Sequence, residues 1–216
     1  GRAACDSWFG QAPVRDGFAA ACIGGQGAAT RAWSYGAPGE IADVLRVPQL
    51  VRAALPHAAI DVRNAILVGP SMGGLEALLA ADADPTRWRA VVALDAPTDL
   101  AAHYRESLAQ AGTWRKVHAM RLECGGTPEQ HPDCYAARSP IDHLDALGQS
   151  QTRLLLWWSR SDPIAGSPTQ SPAYAAALRA RYPKVRLQTR EGAWAHGRAW
   201  WVGDRAWLRA ALRLDR

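Results

Sequence analysis

Ser71 stands between glycines in Gly69-Pro70-Ser71-Met72-Gly73-Gly74, and its surroundings set it up as a nucleophile. A short apolar run from Ala65 to Val68 leads in, and Leu75, Glu76, Ala77, Leu78 and Leu79 continue with helical character. A G-x-S-x-G motif between a strand and a helix makes a tight turn, which strains the serine backbone and exposes its hydroxyl. A side chain at position 69 or 73 is expected to crowd the neighbouring strand and helix. The hydroxyl then lies beside a helix N-terminus, whose free N–H groups favour negative charge.

A serine hydroxyl at neutral pH needs a base within hydrogen-bond reach, and the base needs a third group to orient it. Two residues qualify by local context. Asp162 lies just past the apolar run 154–158, in Ser159-Arg160-Ser161-Asp162-Pro163, and His196 follows the run 185–189, in Gly192-Ala193-Trp194-Ala195-His196-Gly197. Both fall in loops at the C-terminal ends of expected strands. An Asx-turn before Pro163 competes for Asp162, and a backbone-bonded loop histidine competes for His196. Asp99, after the run 90–94, is the second candidate acid, while Asp95 lies closer to that strand and reads as structural. Among the other histidines, His57 belongs at the opposite end of the sheet and His103 shares a helical stretch with Tyr104. His118, His131 and His143 read as solvated or capping residues.

An oxyanion needs two donors. The amide of Met72, directly after the nucleophile, is one, and the backbone of Arg2 or Ala3 is expected to supply the other. Trp8, Trp33 and Trp194 fall in loops that should border the site, suggesting an aromatic-lined pocket for an apolar or sugar-like group. Core packing is the alternative for each.

The elements that must hold these residues alternate in type. Strands are expected at Gly17–Ile23, 65–68, Ala90–Leu94, Leu154–Trp158 and Val185–Thr189. Helices follow Ile41 to Leu55, with Pro48 as a kink or second start, then Ser71, then Pro172 to Tyr182. Trp200, Trp201, Trp207, Leu208, Ala211 and Leu212 form the apolar face of a C-terminal helix. This alternation predicts a mostly parallel sheet with helices on both faces. Residues 100–147 depart from it. Leu100, Tyr104 and Leu108 mark one helix, the rest reads as irregular, and the segment is expected to be a lid-like insertion within a single domain spanning 1–216.

At 216 residues, 48% of them apolar, the chain suits one domain with a sizeable core. No run approaches the ~18 apolar residues of a membrane span. The net charge of +5 comes from scattered arginines, with Lys116 and Lys184 the only lysines, so no nucleic-acid partner is indicated. Cys5, Cys22, Cys124 and Cys134 lack metal-ligand spacing, and the last two bracket a Gly- and Pro-containing loop that a disulfide would staple. An even cysteine count is consistent with a secreted or periplasmic protein, with free buried thiols as the alternative. The chain opens on Gly1-Arg2-Ala3-Ala4, with no initiator Met or signal peptide, and its true start is expected upstream.

With these residues placed, the chain resembles the α/β-hydrolase superfamily, most of all its prolyl-oligopeptidase and dienelactone-hydrolase-like branch. Carrying the resemblance are Gly-Pro-Ser-Met-Gly-Gly at 69–74, Tyr135-Ala136-Ala137-Arg138-Ser139-Pro140-Ile141-Asp142, Ser-Arg-Ser-Asp-Pro at 159–163 and Trp-Ala-His-Gly at 194–197. The order Ser, acid, His also matches that of the superfamily. The resemblance implies a serine hydrolase acting on carboxylic esters or short peptides without metal or organic cofactor. An ester is favoured, because the chain has no room for a propeller-type gate. It also implies eight strands, of which the first three are expected to be missing, with Gly1 resembling the glycine of the His-Gly oxyanion turn. The missing third strand would leave a gap between 17–23 and 65–68. A different outcome is a catalytically silent hydrolase-fold fragment that binds a ligand or partner.

Overall fold

Four strands form one parallel sheet, with β1 (Ala65–Pro70), β2 (Trp88–Leu94), β3 (Arg153–Ser159) and β4 (Leu187–Gly192) in that spatial order. A computed structural model describes residues 5, 8–28 and 33–196 of the chain. Parallel neighbours need crossover connections, and helices supply them. Before β1 come α1 (Trp8–Arg15) and α2 (Pro38–Ala54); α3 (Met72–Ala83) joins β1 to β2. Between β2 and β3 lie α4 (Leu100–Leu108), α5 (Trp114–Cys124), α6 (Pro132–Ala137) and α7 (Asp145–Gln149), and α8 (Ser171–Arg181) leads to β4.

The middle strands form the core. On one face Val91, Ala93, Leu154, Leu156 and Trp158 pack against α2, α3, α7 and α8 through Val44, Leu78, Leu147, Tyr174 and Leu178. On the other face Ala90, Val92, Leu155 and Trp157 are buried as deeply. A second apolar cluster joins α4, α5 and α6 to the opposite flank of α3, through Leu100, Tyr104, Met120 and Tyr135 against Leu75 and Leu79. The two clusters grip α3 from both sides, which fixes the helix that follows Ser71.

Several expectations are corrected. Residues 17–23 form no strand: Gly17 turns the chain at a φ of +86° and Ile23 is exposed. The segment is anchored by a Cys5–Cys22 disulfide rather than by a ladder. No described strand pairs with the outer edge of β1, where Val68 is exposed. The last strand lies at 187–192 rather than 185–189, because a turn from Tyr182 to Val185 delays pairing. α2 runs unbroken through a buried Pro48.

Residues 109–138 are largely helical rather than irregular. α5 stops at Gly125, whose φ of +78° suits a glycine C-cap, and α6 starts on Pro132. A Cys124–Cys134 disulfide ties the two helices together. The expected C-terminal helix lies outside the described residues.

Candidate active site

Ser71 occupies the turn between β1 and α3 with φ 54° and ψ −128°, a conformation that L-residues rarely adopt. Its amide donates to the carbonyl of Leu94 at 2.7 Å, and its own carbonyl accepts from Gly74 at 2.8 Å. The turn needs glycine at 69 and 74. A Cβ on Gly69 would lie 2.0 Å from the Gly73 carbonyl oxygen, and one on Gly74 would lie 2.7 Å from Ala96 Cβ. The crowding expected at Gly73 is not found, since a Cβ there would meet nothing nearer than Pro70 Cδ at 3.7 Å. The glycine that touches the neighbouring strand is therefore one residue later than the motif suggests.

Asp162 and His196 come from the loops after β3 and β4; His196 reaches Ser71, and Asp162 reaches His196. His196 Nε2 lies 3.1 Å from Ser71 Oγ, and His196 Nδ1 lies 2.6 Å from Asp162 Oδ2. Asp162 Oδ1 accepts the amides of Ile164 at 2.7 Å and Ala165 at 3.2 Å. The two readings of Asp162 are thus compatible: one carboxylate oxygen closes an Asx-turn, and the other faces the imidazole. The carboxylate is buried while the imidazole is half-buried, so the chain of contacts runs from the interior toward the surface. Asp99 points elsewhere. It caps α4, accepting the Ala102 amide at 2.8 Å.

Met72 is the first residue of α3, where amides have no intrahelical acceptor, so its N–H is available beside the serine. Trp33 is half-buried and, like Met72, packs against the cluster of α3, α4, α5 and α6. Arg2 lies outside the described residues, as does the side chain of Trp8, which belongs to α1 rather than to a loop. Trp194 is half-buried, and its indole N–H donates to the carboxylate of Asp95, 2.9 Å from Oδ2 and 3.1 Å from Oδ1. Asp95, Asp162 and His196 bring donor atoms within 4.8 Å of one another. They could hold a cation, although Asp162 and His196 are already bonded to each other.

The insertion leans on the acid's loop, with Gln110 Nε2 donating to the Pro163 carbonyl at 2.5 Å. His103 on α4 is buried, and burial, then Lys116 and His196, push its imidazole down to about 4. It is therefore neutral at pH 7. Burial also lowers the pKa of Lys116 on α5, against the opposing pull of Asp162. Beneath the turn, burial raises Glu76 to about 7, offset in part by the Ser34 hydroxyl that donates to it. Asp95, which reads as structural in the sequence, has its carboxylate bonded to Trp194 in the loop that carries His196. Asp95 carried a usable signal as an acid directly after an apolar strand.

A family model for the prolyl oligopeptidase family matches residues 24–205. The chain belongs to that family. Family membership agrees with the parallel sheet and its flanking helices. Among solved structures, the puromycin-hydrolyzing peptidase of Mycobacterium tuberculosis shares 24% identity, with a TM-score of 0.60 over 81% of this chain and 24% of that one. The acylaminoacyl peptidase of Pyrococcus horikoshii shares 17%, with a TM-score of 0.60 over 76% of this chain and 24% of that one. The fluorophosphonate-binding serine hydrolase F of Staphylococcus aureus shares 19%, with a TM-score of 0.60 over 85% of this chain and 68% of that one. These likenesses show the α/β-hydrolase fold. The chain spans 24% of the length of the two peptidases among them. No curated protein matches the sequence.

Proposed function

We propose that this prolyl-oligopeptidase-family chain is a serine hydrolase that transfers an acyl group from a carboxylic ester or short peptide to water through Ser71. The observation that carries the reading is the continuous line Asp162, His196, Ser71, with contacts of 2.6 and 3.1 Å. In it, His196 takes the Ser71 proton as Oγ attacks the carbonyl, and returns that proton to the leaving group. Asp162 holds the ring and offsets the charge of the imidazolium. The Met72 amide stabilises the oxyanion, and a second pass with water releases the acyl group. The chemistry of the residues that act here, hydroxyl, imidazole, carboxylate and amide, suffices for acyl transfer.

The strained backbone of Ser71 supports the same reading, because an outlying φ and ψ persists only where the surroundings impose it. Residues 100–147 are proposed as a cap over the substrate side, since Gln110, just after α4, donates to Pro163 in the Asp162 loop. Trp33, packed against the same apolar cluster as Met72, is proposed to border the acyl pocket. Both ester and amide substrates suit this arrangement, and the names of two structural neighbours point to amide bonds in those proteins.

Steady-state hydrolysis of p-nitrophenyl acetate and of an aminoacyl p-nitroanilide by the chain and by Ser71→Ala tests this. Turnover of either substrate by the wild type, lost in the variant, supports the proposal. A folded wild type that turns over neither favours a silent binding module.

A further inference from the structure

Asp95 combines two unfavourable features for a side chain that takes no part in the proposed proton relay. Its backbone is at a φ of +48°, and it is completely buried. What holds it there is a set of contacts to the end of β3 and to the loop that carries His196. The carboxylate accepts the Ser159 amide at 3.0 Å and the Trp194 indole N–H at 2.9 Å. Ser159 in turn accepts the Trp194 amide on its hydroxyl oxygen at 2.8 Å, and that hydroxyl donates to the Trp194 carbonyl at 2.5 Å. The indole ring lies over Gly192, where a Cβ would come within 1.8 Å of it. Trp194 is therefore held by its side chain, its N–H and its C=O, from the ends of both β2 and β3.

His196 is two residues further on. Residues 193–196, after β4, have no helix or strand of their own, so tethers of this kind help to keep the imidazole in place. We propose that Asp95 is a positioning residue for the histidine, acting through Trp194, and that Trp194 is a strut rather than a substrate-binding aromatic. The indole fixes the loop's approach, and the ring of His196 is then presented between Asp162 and Ser71. A loop free to drift by about 1 Å would cost on the order of 100-fold in rate. This inference rests on the function proposed above.

The test compares kcat and KM for p-nitrophenyl acetate in the wild type, Asp95→Asn, Trp194→Phe and the double variant, each well below its melting temperature. Trp194→Phe keeps an aromatic side chain but removes the indole donor, and Asp95→Asn removes the charge and one of the two oxygens that accept from that donor. Each single variant is expected to lose 10- to 100-fold in kcat with KM within twofold, and the double variant to lose no more than the worse single. Such non-additivity is the signature of two residues acting as one unit. If Asp95→Asn does not fold, Trp194→Phe and Ser159→Ala carry the test, the latter cutting the backbone tethers. Wild-type kcat in folded Trp194→Phe overturns the inference, as does a loss confined to Asp95→Asn, which would mean direct action of its charge. Lack of turnover in the wild type would instead refute the hydrolase reading itself.

Discussion

A methyl group on Gly69 would lie 2.0 Å from the carbonyl oxygen of Gly73, closer than any side chain can come to a backbone. The end of β1 and the first turn of α3 touch through hydrogen alone, and Ser71 is held at their junction. The same contact makes a prediction about three adjacent glycines. Gly69→Ala and Gly74→Ala should destabilise the chain by several kcal/mol, in the range of overpacked core sites, and abolish turnover with it. Gly73→Ala, with its nearest neighbour at 3.7 Å, should change stability by less than ~1 kcal/mol. Thermal denaturation of the three variants checks this, and equal losses at all three would contradict it.

The acid is decided by which carboxylate faces the imidazole. Asp162→Asn should lower kcat by roughly 10³- to 10⁴-fold, the loss expected when the imidazole is held in the wrong tautomer. Asp99→Asn should leave kcat within about twofold, since asparagine caps a helix as well as aspartate does. Turnover measurements on the two variants separate these roles.

Two buried groups should give stability opposite dependences on pH. Glu76 is raised from 4.5 to about 7 by burial, so the folded state keeps a proton that the unfolded chain has lost. Its contribution is full below pH 4.5 and is lost as pH rises toward 7. His103 is lowered from 6.5 to about 4, so here the unfolded chain holds the extra proton. Its contribution is full above pH 6.5 and is lost as pH falls toward 4. Each shift corresponds to a swing on the order of 3 kcal/mol. Relative to the wild type, Glu76→Gln should gain stability as pH rises from 4.5 to 7. His103→Leu should lose stability over nearly the same interval. Urea denaturation across pH 4–8 reads both slopes, and parallel profiles in all three proteins would rule out the account.

The Cys124–Cys134 disulfide closes a short loop between α5 and α6. Chain-entropy arguments give about 2–3 kcal/mol for a loop of this size. Cys134→Ser should lower the melting temperature without changing the KM of a small ester. A change in KM would show that these helices set the pocket directly.

What the sequence made legible follows a physical pattern. β2 and β3 are continuous apolar runs because both their faces are buried, and such runs stand out against their flanks. β4 is Leu-Gln-Thr-Arg-Glu-Gly, half exposed, so only its first residues look like a strand and its bounds slip. The segment 17–23 is apolar enough for a strand, but a disulfide and a turn hold it, which composition does not reveal. α5 was hidden by Arg115, Lys116, His118 and Arg121 interleaved with its buried residues. Ser71, Asp162 and His196 could be named because each follows a strand with its own local cue. The tie between Asp95 and Trp194 could not, because it joins residues 99 positions apart and exists only once both loops are in place.

The central claim is tested most directly by mapping a fluorophosphonate adduct on the folded chain by peptide mass spectrometry. A single adduct on Ser71 is expected, formed at least 100-fold more slowly in His196→Ala and absent in Ser71→Ala. An unmodified Ser71, or labelling that proceeds equally fast without the imidazole, would contradict it.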